Sequence, residues 1–418
     1  MRGKIVIALA ALLGTVAFTQ EASAVPSFAR QTGMACQACH QQHFPVLNSF
    51  GRAFKAGGYT MMGKQGKVEG EHLSIPDTLN ASLLIKVRYF KDQSTGAADT
   101  TTTATNKGNG QFQFGDEVSL FFGGRVADNV GYLMEGNLVG DAGKFVSGLR
   151  IPFAFDVGSA KLSAVPFTTD GGGVQHGYEL SSGGVQRSNR WNENRREVSA
   201  VQYNADRGPD AGAATGVAFV AQNDMGFVNV TTWTPSYMPG GGNGEASSEM
   251  KSSYVRIAAT PNVGNWAMVV GAGAMSGASF NNVSSKRIDT KQTFFDFQAH
   301  GMVGGKELGV YLQHANAPAK SGASVSNAYN SGANTRKATT IGADYSVIPH
   351  VLSLAASYRS ARNGGAAGAD GDNALLIGGV YDFTQNIAFH ANYITYSGSA
   401  YNASSNKHVY MGMLEMAW

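Results

Sequence analysis

Residues 79–418 consist of short segments, each about ten residues long, in which large apolar and polar side chains alternate. In the first segment Lys86 and Arg88 share one face, and the apolar residues around them share the other; in the last segment Glu415 opposes the C-terminal Trp418. Successive side chains of a strand point to opposite faces. Charges on one face and apolar groups on the other are typical of a transmembrane β-barrel. We therefore predict an all-β barrel with a polar lumen and an apolar face toward lipid.

The connections between these segments alternate in length. Residues 91–110 form a long polar loop, residues 127–129 form a tight turn, and the alternation continues toward the C-terminus. Short turns on one side and long loops on the other are typical of outer-membrane barrels, with the short turns in the periplasm. One connection, 141–143, is short although it falls on the loop side. A soluble β-sandwich also has alternating strands, but it does not require this alternation of connections.

The alternation also constrains the number of strands. If the first strand, about 79–90, rises from the periplasm, the last strand returns there, so the number is even. We predict sixteen antiparallel strands, beginning near residues 79, 111, 130, 144, 195, 213, 226, 249, 265, 291, 306, 337, 350, 374, 387 and 407. Residues 155–194 are left over, as a periplasmic excursion or as one more hairpin, which would make eighteen strands. A barrel of this size has a lumen that is filled or serves as an aqueous channel.

Both cysteines of the chain lie in the sequence Cys36-Gln37-Ala38-Cys39-His40. The C-x-x-C-H motif is an attachment site for a c-type haem. Cys36 and Cys39, one helical turn apart, can each form a thioether with a haem vinyl group, and His40 then offers its imidazole as the proximal iron ligand. The alternatives are a redox dithiol, which needs no following histidine, and half of a zinc site, which needs a second ligand pair. We therefore predict one covalently bound haem c.

Residues 1–24 have the features of a secretory signal peptide, with a basic start, an apolar run from Ile5 to Phe18 and small residues at 22–24. The apolar run is shorter than the roughly twenty residues that a membrane-spanning helix needs. We expect the mature chain to begin at Val25. Export agrees with the haem prediction, because c-type haem is attached outside the cytoplasm.

Residues 25–78 form a small unit ahead of the barrel sequence, residues 79–418. After the haem motif, apolar residues recur with helical spacing at Phe44, Leu47, Phe50 and Phe54. This spacing predicts a helix over 41–54 that covers the haem and ends at Gly57 and Gly58. About fifty residues are too few for an independent core. We therefore expect a small α-helical cytochrome domain that plugs the lumen of the barrel.

The sixth ligand of the haem iron has several candidates. Met61 is the tentative choice, because it follows a glycine turn and can fold back; Met62 and His72 are the alternatives. His43 lies three residues after His40 and would share its helix, so it does not easily reach the opposite haem face. Either methionine can instead fill a gap in apolar packing. Methionine ligation would raise the reduction potential of the haem relative to two histidines.

Composition excludes several function classes. Charged residues make up 15% of the chain and the net charge is +3, which is too small to indicate a nucleic-acid partner. With both cysteines committed to haem, no disulfide framework remains. The chain contains no P-loop, no dinucleotide-binding glycine motif in a βαβ setting, and neither the zinc-protease nor the serine-hydrolase motif.

The N-terminal unit carries a dense set of recognisable residues. They are Phe28-Ala29-Arg30-Gln31-Thr32-Gly33-Met34, the C-x-x-C-H motif, Phe44-Pro45-Val46-Leu47-Asn48, Phe50-Gly51-Arg52, and Phe54-Lys55 to Gly58-Tyr59-Thr60. This stretch resembles the outer-membrane monohaem cytochrome–porin fusions of iron-oxidising bacteria. Over 79–418 the resemblance is one of architecture, a barrel of similar length that ends in an aromatic residue.

The resemblance implies that a single-haem cytochrome domain plugs a porin-like barrel in the outer membrane of a Gram-negative bacterium, with the long loops extracellular. It also implies that Fe(II) is oxidised at the outer surface, and that electrons pass to a periplasmic c-type cytochrome or another carrier. Homologues of this kind occur in bacteria not known to oxidise iron. Two alternatives therefore stay open: outward electron export to an extracellular acceptor, and a solute porin with a haem-containing gate.

Polar residues of the barrel are candidates for two further roles. The lumen-facing residues expected to hold the plug, or to line water, are Lys86, Arg88, Asp296 and Arg359. Carboxylate oxygens suit Fe(II) in part, and the acidic residues of the predicted external loops include Asp92, Asp99, Asp206, Asp210 and Asp372. A solvated loop charge is the commoner role for each of them, so none is assigned as an iron site.

Overall fold

The computed structural model describes residues 26–92, 110–139, 145–180, 185–187, 189, 191, 193–205, 212–237, 249–281, 286–402 and 407–418. The predicted signal peptide and the loop residues Asp99, Asp206 and Asp210 lie outside the described residues. The α-helices within these ranges are α1 (Pro26–Thr32), α2 (Cys36–Cys39), α3 (Ser49–Ala56) and α4 (Ala200–Ala205), with 3-10 turns at Val174–His176, Val185–Arg187, Arg195–Glu197 and Ser399–Tyr401. In the described part of the chain, no helix has the length and apolar character needed to cross a membrane.

Twenty-two strand segments follow the first helices. They are β1 (Lys67–Gly70), β2 (Leu73–Pro76), β3 (Ala81–Asp92), β4 (Gln111–Ala127), β5 (Val130–Asn137), β6 (Val146–Arg150), β7 (Phe153–Val157), β8 (Ala160–Thr169), β9 (Ala214–Asn223), β10 (Gly226–Thr234), β11 (Ser252–Ala259), β12 (Asn262–Val263), β13 (Trp266–Ser276), β14 (Ala278–Asn281), β15 (Lys286–Asp289), β16 (Gln292–Val303), β17 (Lys306–Ala317), β18 (Arg336–Ile348), β19 (Leu352–Asn363), β20 (Asn373–Thr384), β21 (Ile387–Ser397) and β22 (His408–Ala417).

All strands from β3 to β22, except the hairpin β14–β15, form one closed antiparallel barrel. Segments β6 and β7 pair with the same neighbours, as do β11 and β12 with β13, so each pair is one strand with an interruption. Pro152 and Pro261 lie at these interruptions, because proline cannot donate to the ladder. Counted this way the barrel has sixteen strands, as predicted. It closes where β22 pairs with β3, with the Trp418 amide donating to the Leu83 carbonyl at 3.0 Å.

One predicted strand was placed wrongly. The unassigned residues 155–194 contain β8, which follows β7 after a two-residue turn, and the strand predicted near residue 195 is the helical region that includes α4. The leftover stretch is therefore neither a periplasmic excursion nor an extra hairpin, and the barrel does not have eighteen strands. The inward face of strand β8 mixes buried apolar Val165 and Phe167 with buried polar Ser163 and Thr169, which weakens the alternation that marks a strand.

The connection between β8 and β9 is described at residues 170–180, 185–187, 189, 191, 193–205 and 212–213. These described residues lie in the lumen of the barrel, and we name them the inserted loop. Inward-facing side chains bind its backbone from several strands: Gln313 donates to the Val185 carbonyl at 2.5 Å and Asn229 to the Tyr178 carbonyl at 3.3 Å. Its apolar side chains are almost fully buried, among them Val174, Val185, Trp191, Val198, Val201 and Tyr203. Val174, Val185, Val201 and Tyr203 share one buried cluster with inward-facing Trp233, Tyr254 and Phe294. Trp191 and Val198 belong to a second cluster, with Tyr311 and Leu376. One side of the lumen is thus a dense apolar core.

The outer face of the barrel is apolar, as the alternation predicted. Ile257, Ile341 and Leu354 are between 50% and 61% exposed, whereas Arg256, Thr340 and Ser353 beside them are buried inside. The connections alternate between short turns at one end, the short-turn end, and long loops at the other, the long-loop end. A closed barrel satisfies its backbone hydrogen bonds internally, and an apolar outer face matches lipid.

A small hairpin stands at the long-loop end. Strands β14 and β15 pair with each other, and Asp289 at the end of β15 is 2% exposed. Its carboxylate accepts hydrogen bonds from the Ser321 hydroxyl at 2.7 Å and from the Ser324 hydroxyl at 2.5 Å. Asp289 therefore ties the loop between β17 and β18 to this hairpin.

Residues 26–78 contain α1, α2 and α3, and we name them the N-terminal segment. The helices of this segment contact the inner wall at the short-turn end. Arg30 donates to the Ala81 carbonyl at 2.5 Å, where β3 begins, and the Gln222 amide on β9 donates to the Ala56 carbonyl at 3.0 Å. Farther round the ring, Arg52 donates to His300 at 2.9 Å. Strands β3, β9 and β16 are far apart in the barrel order, so the wall surrounds this N-terminal segment.

Candidate functional site

A cavity of about 470 Å³ lies between the N-terminal segment, the inserted loop and the inner wall of strands β3 to β6 and β22. It lies within the range of roughly 300–1,000 Å³ found for small-molecule and cofactor pockets. Cys36, Cys39 and His40 all line it. The cavity extends from this motif to Val139, beyond the long-loop end of β5. The structure therefore brings the three predicted haem-binding residues together around one space.

Helix α2 and the hydrogen bonds of Asn48 hold the C-x-x-C-H motif in place. Helix α2 spans the two cysteines, and the His40 amide donates to the Cys36 carbonyl at 2.9 Å. Asn48 caps α3 through the Gly51 amide at 3.0 Å, and its side-chain amide donates to the Ala38 carbonyl at 3.1 Å. The motif is thereby tied to the start of α3, and both face the cavity.

Helix α3 is shorter than predicted. It begins at Ser49 rather than near residue 41, because Asn48 supplies the cap, and residues 41–47 form a turn. It ends at Ala56, before the glycines, as predicted. Phe44, Leu47 and Phe54 line the cavity, whereas Phe50 is 38% exposed.

The hydrogen bond of His40 leaves its second ring nitrogen available. Nδ1 lies 3.2 Å from the Val46 carbonyl, so we assign the proton to Nδ1 and leave the lone pair on Nε2. Burial lowers the pKa of His40 to about 4, which keeps the imidazole neutral. A carbonyl on one nitrogen and a free lone pair on the other is the usual arrangement of a metal-binding histidine.

The thiols are poorly suited to redox exchange. Burial raises the pKa of Cys36 to about 12 and also raises that of Cys39. The Cys36 thiol donates to the Gln385 carbonyl at 3.1 Å, in the short turn between β20 and β21. Reactive dithiols need a lowered thiol pKa, so this environment disfavours the dithiol alternative. Among the described residues, no group of three or more histidine, cysteine, aspartate or glutamate side chains is arranged to hold a metal ion.

Aromatic and aliphatic side chains form much of the cavity wall. The Phe28 ring stacks on the Tyr59 ring with centroids 5.0 Å apart and meets the Phe54 ring edge-on at 5.1 Å. From the barrel, the apolar contributions are Leu84, Phe121 and Leu133. Such a wall accommodates a large apolar ligand and excludes water from it.

Part of the polar lining is an ion-pair cluster. Lys86 contacts Glu117 at 2.6 Å, Glu193 at 3.3 Å and Glu415 at 3.6 Å, and Arg88 contacts Asp116 at 2.6 Å. All of these residues belong to the barrel or the inserted loop. Lys86 and Arg88 therefore pair with these partners and not with the N-terminal segment.

The other two residues predicted to hold the plug behave in the same way. Asp296 binds Arg256 at 2.5 Å, and Arg359 binds Asp372 at 2.6 Å. Asp372 is thus a buried ion-pair partner, not a free loop charge. The expectation that such residues hold the N-terminal segment is wrong, because their ion-pair partners lie on the barrel and the inserted loop.

The predicted distal ligands lie outside the cavity lining. Met61 is 37% exposed, and its carbonyl accepts from Gln31 at 2.8 Å. Met62 is partly buried, and His72 is exposed in the turn between β1 and β2. His43 is buried in the turn after the motif rather than on a helix shared with His40. The structure therefore does not bring Met61, Met62 or His72 to the motif.

Two histidines that the sequence reasoning did not single out line the cavity, His176 on the inserted loop and His390 on β21. His390 lies 3.0 Å from Glu415. Burial lowers the pKa of His176 well below its ordinary value, and the charges of Arg150, Arg187 and Lys55 lower it further. No local motif marks either histidine, since only the fold brings them to the cavity.

The residues present fit a covalently attached haem c. The motif supplies two thiols and a neutral imidazole with one free nitrogen, the wall supplies apolar contact, and cationic side chains line the same space. These are the groups that a macrocycle with two vinyl groups, one iron and two carboxylates requires.

The fold defines a sixteen-stranded barrel of the porin type. Solved structures with a similar fold include Salmonella typhi OmpF in complex with daunomycin, at 11% identity and TM-score 0.50, covering 84% of this chain and 100% of that one. Vibrio cholerae OmpT has 14% identity and TM-score 0.48, covering 82% and 99%. The Acinetobacter baumannii channel DcaP has 11% identity and TM-score 0.46, covering 81% and 97%. At 11% identity the similarity to OmpF shows the fold alone. The chain matches no protein-family model, and it matches no curated protein.

Proposed function

We propose that this chain is an outer-membrane electron-transfer protein in which Cys36 and Cys39 attach one haem c and His40 is the proximal iron ligand. The observation that carries the proposal is the position of all three side chains on one cavity inside a closed barrel. A haem bound there supplies a one-electron ferric–ferrous couple. The N-terminal segment is then a cytochrome domain that plugs the lumen.

The chain's own residues have definite roles in this proposal. The Val46 carbonyl orients the His40 ring, and Asn48 holds the turn that carries Cys39. The rings of Phe28, Phe54 and Tyr59 supply apolar contact on one side of the cavity. These features fix the position of the group and lower the local dielectric, which are the means by which a protein tunes a haem potential.

Fe(II) outside the cell is the proposed electron donor. The cavity reaches Val139 at the long-loop end, which gives an external donor an approach. At the other end, Cys36 contacts the short turn at Gln385, on the side that would face the periplasm. Each Fe(II) would lose one electron and become Fe(III), and a periplasmic c-type cytochrome or another carrier would gain that electron. The apolar outer face of the barrel would be embedded in outer-membrane lipid.

Two other functions use the same fold. Outward electron export to an extracellular acceptor needs the same cavity and differs only in direction. A solute porin with a haem-containing gate is favoured by the barrel's likeness to OmpF, which was solved with daunomycin. The packed inserted loop and the N-terminal segment fill much of the lumen that a solute would cross. We therefore rank electron transfer first.

The test uses the purified, oxidised protein in detergent. Fe(II) is added without oxygen, and the haem absorption spectrum is followed. We expect fast reduction, because the cavity is accessible from one end and holds the group away from bulk water. The double variant Cys36→Ala/Cys39→Ala should carry no haem after denaturing electrophoresis and haem staining.

The possible results test the haem assignment and the identity of the electron donor separately. Covalent haem stain in the double variant, or none in the native protein, would remove the haem assignment. Reduction by dithionite but not by Fe(II) would leave the cytochrome–barrel in place and discard iron as the donor. Rapid oxidation of the reduced protein by an external acceptor would then favour outward export.

A further inference from the structure

Among the described residues, several basic side chains inside the barrel form ion pairs with carboxylates. Lys86, Arg88, Arg256 and Arg359 each form an ion pair at 2.6 Å or less with a residue of the barrel or the inserted loop. Arg150, the last residue of β6, is different. Among the described residues, no carboxylate forms an ion pair with it, although it lines the cavity.

Arg150 is held in place by neutral groups. Its Nη1 donates to the His176 carbonyl at 3.0 Å, and its guanidinium carbon lies 5.6 Å from the centroid of the Tyr59 ring. Its Nε is buried without a hydrogen-bond partner. The guanidinium is therefore positioned by a carbonyl and an aromatic face, with donor capacity left over. A guanidinium has five N–H donors in a planar fork that suits a carboxylate.

Other cations gather at the same part of the cavity. Lys55 on α3 and Arg187 on the inserted loop both line it, and Arg187 donates to the Gly171 carbonyl at 3.2 Å. The charges of Arg150, Arg187 and Lys55 all act on His176. Glu135 on β5 also lines the cavity, so Arg150 is the cation of this region for which no carboxylate partner is described.

The motif and Arg150 lie on different sides of the cavity. Cys36 contacts the turn that precedes β21, and Arg150 ends β6; strands β22, β3, β4 and β5 lie between β21 and β6. Neighbouring strands are about 4.8 Å apart, so the two groups are separated by most of one side of the lumen. In a haem, the vinyl groups that bind cysteine and the two propionate carboxylates are on opposite edges.

We propose that Arg150 binds the propionate carboxylates of the attached haem, with Lys55 and Arg187 lining the same pocket. This inference rests on the proposed function, because it needs the haem on Cys36 and Cys39. In this proposal the haem edge that carries the two propionates faces β6. The orientation of the haem within the cavity follows from this. Arg150 also keeps a propionate ionised, since a guanidinium favours the charged form of a neighbouring carboxyl.

The experiment compares the full-length haem-loaded protein with Arg150→Met and Arg150→Lys. Arg362→Met is the matched control, because Arg362 has a 58% exposed side chain, pairs with Asp370 and is not among the residues that line the cavity. Haem staining after denaturing electrophoresis checks attachment. The haem midpoint potential is then measured from pH 5 to pH 8, and the propionate bending band is recorded by resonance Raman spectroscopy.

Other titratable groups line the cavity, among them Glu135, His176 and His390, so the pH dependence of the native potential is taken as the baseline. Relative to that baseline the profile is flat as long as the propionate stays ionised across this range, as Arg150 should keep it. In Arg150→Met the propionate pKa should rise into the range, and the potential should fall with pH as the carboxyl ionises, since a new negative charge favours ferric iron. The expected change is about tenfold in the ferrous–ferric equilibrium across the step, or about 59 mV. Arg150→Lys should keep most of the flat profile and Arg362→Met all of it. The propionate band should move only in the Arg150 variants.

A flat profile and an unmoved band in Arg150→Met would overturn the propionate assignment. A fall of the potential by the same amount at every pH would also overturn the assignment. It would show that the charge of Arg150 acts on the iron from a distance, without contact between Arg150 and a propionate. Absence of covalent haem in the native protein would contradict the proposed function instead. If Arg150→Met does not reach the compact barrel form on a gel run without heating, Arg150→Gln gives the same comparison, since its amide can still donate to the His176 carbonyl.

Discussion

Asn48 connects two parts of the candidate site through a single side chain. Its oxygen accepts from the Gly51 amide at the start of α3, and its nitrogen donates to the carbonyls of Gln37 and Ala38 in the motif turn. A side chain that caps a helix satisfies one of the helix's free N–H groups. Here the same residue also sets the distance between that helix and the turn that carries Cys39.

We expect Asn48→Ala to destabilise α3 by about 1 kcal/mol, because the helix loses its cap. Amide hydrogen exchange over residues 49–56 should become roughly fivefold faster. Asn48→Asp is the matched variant, since it keeps the acceptor for Gly51 but loses the donor to Ala38. It should leave α3 protected and loosen only residues 36–40. Equal protection of both regions in all three proteins would show that Asn48 has no such role.

At the residue scale, the sequence predicts those site residues that lie close together in one short motif. Cys36, Cys39 and His40 were identified because thioether attachment needs that spacing, and the structure places all three on one cavity. Whether they carry haem stays a prediction. Arg150, His176 and His390 were not foreseen, because they reach the cavity from β6, the inserted loop and β21, and no local pattern records which distant elements meet.

At the scale of elements, the hairpin β14–β15 and the loop after β17 depend on one carboxylate. Burial alone would raise the pKa of Asp289, but the hydrogen bonds from Ser324 and Ser321 and the charge of Lys291 lower it below its ordinary value. A carboxyl with a lowered pKa in the folded state stabilises that state above its ordinary pKa of about 4, and this contribution is lost as the pH falls through the folded-state value.

We expect the Ser321 amide, which donates to Asp289 at 2.6 Å, to stay protected from exchange between pH 8 and about pH 4 and to lose protection below that range. Rates are corrected for the intrinsic pH dependence of exchange. Asp289→Ala should lose the protection at every pH. Asp224→Ala, which removes an exposed carboxylate at the short-turn end, should not alter it. Full protection in Asp289→Ala would show that other contacts hold the loop.

The strands also show where prediction from the alternation of polar and apolar residues fails. Strands with a polar inner face, such as β3 and β19, were predicted within a few residues, because alternation is visible in the sequence. Strand β8 was missed, since Val165 and Phe167 interrupt its inward polar face and the alternation is weak. Near residue 195 the sequence alternates but folds as short helices within the inserted loop.

For the whole molecule, the packing inside the lumen bears on whether a solute can pass through the barrel. Trp191, Val198 and Val201 on the inserted loop are at most 1% exposed inside the barrel, and the N-terminal segment contacts the wall at the opposite end. An aqueous channel would need a continuous wet path through this packing. The number of strands and the direction of the connections were predicted from the sequence, but the apolar filling was not.

We expect the protein inserted in a planar lipid bilayer to conduct at least tenfold less than an open porin such as OmpF, because packed side chains occupy the lumen. Current is recorded for both proteins at the same salt concentration and voltage. The folded state is checked first by the change of gel mobility on heating. Steady openings of porin size in the haem-loaded protein would favour the solute-channel function instead.

The pairing of β22 with β3 has a consequence for the order of events during biogenesis. The N-terminal segment precedes β3 in the chain, and the finished ring encircles it. In that position the Cys36 side chain is buried against the turn at Gln385. An enzyme that modifies Cys36 therefore has to act before the segment docks in the barrel. A segment that docks too early keeps Cys36 unmodified.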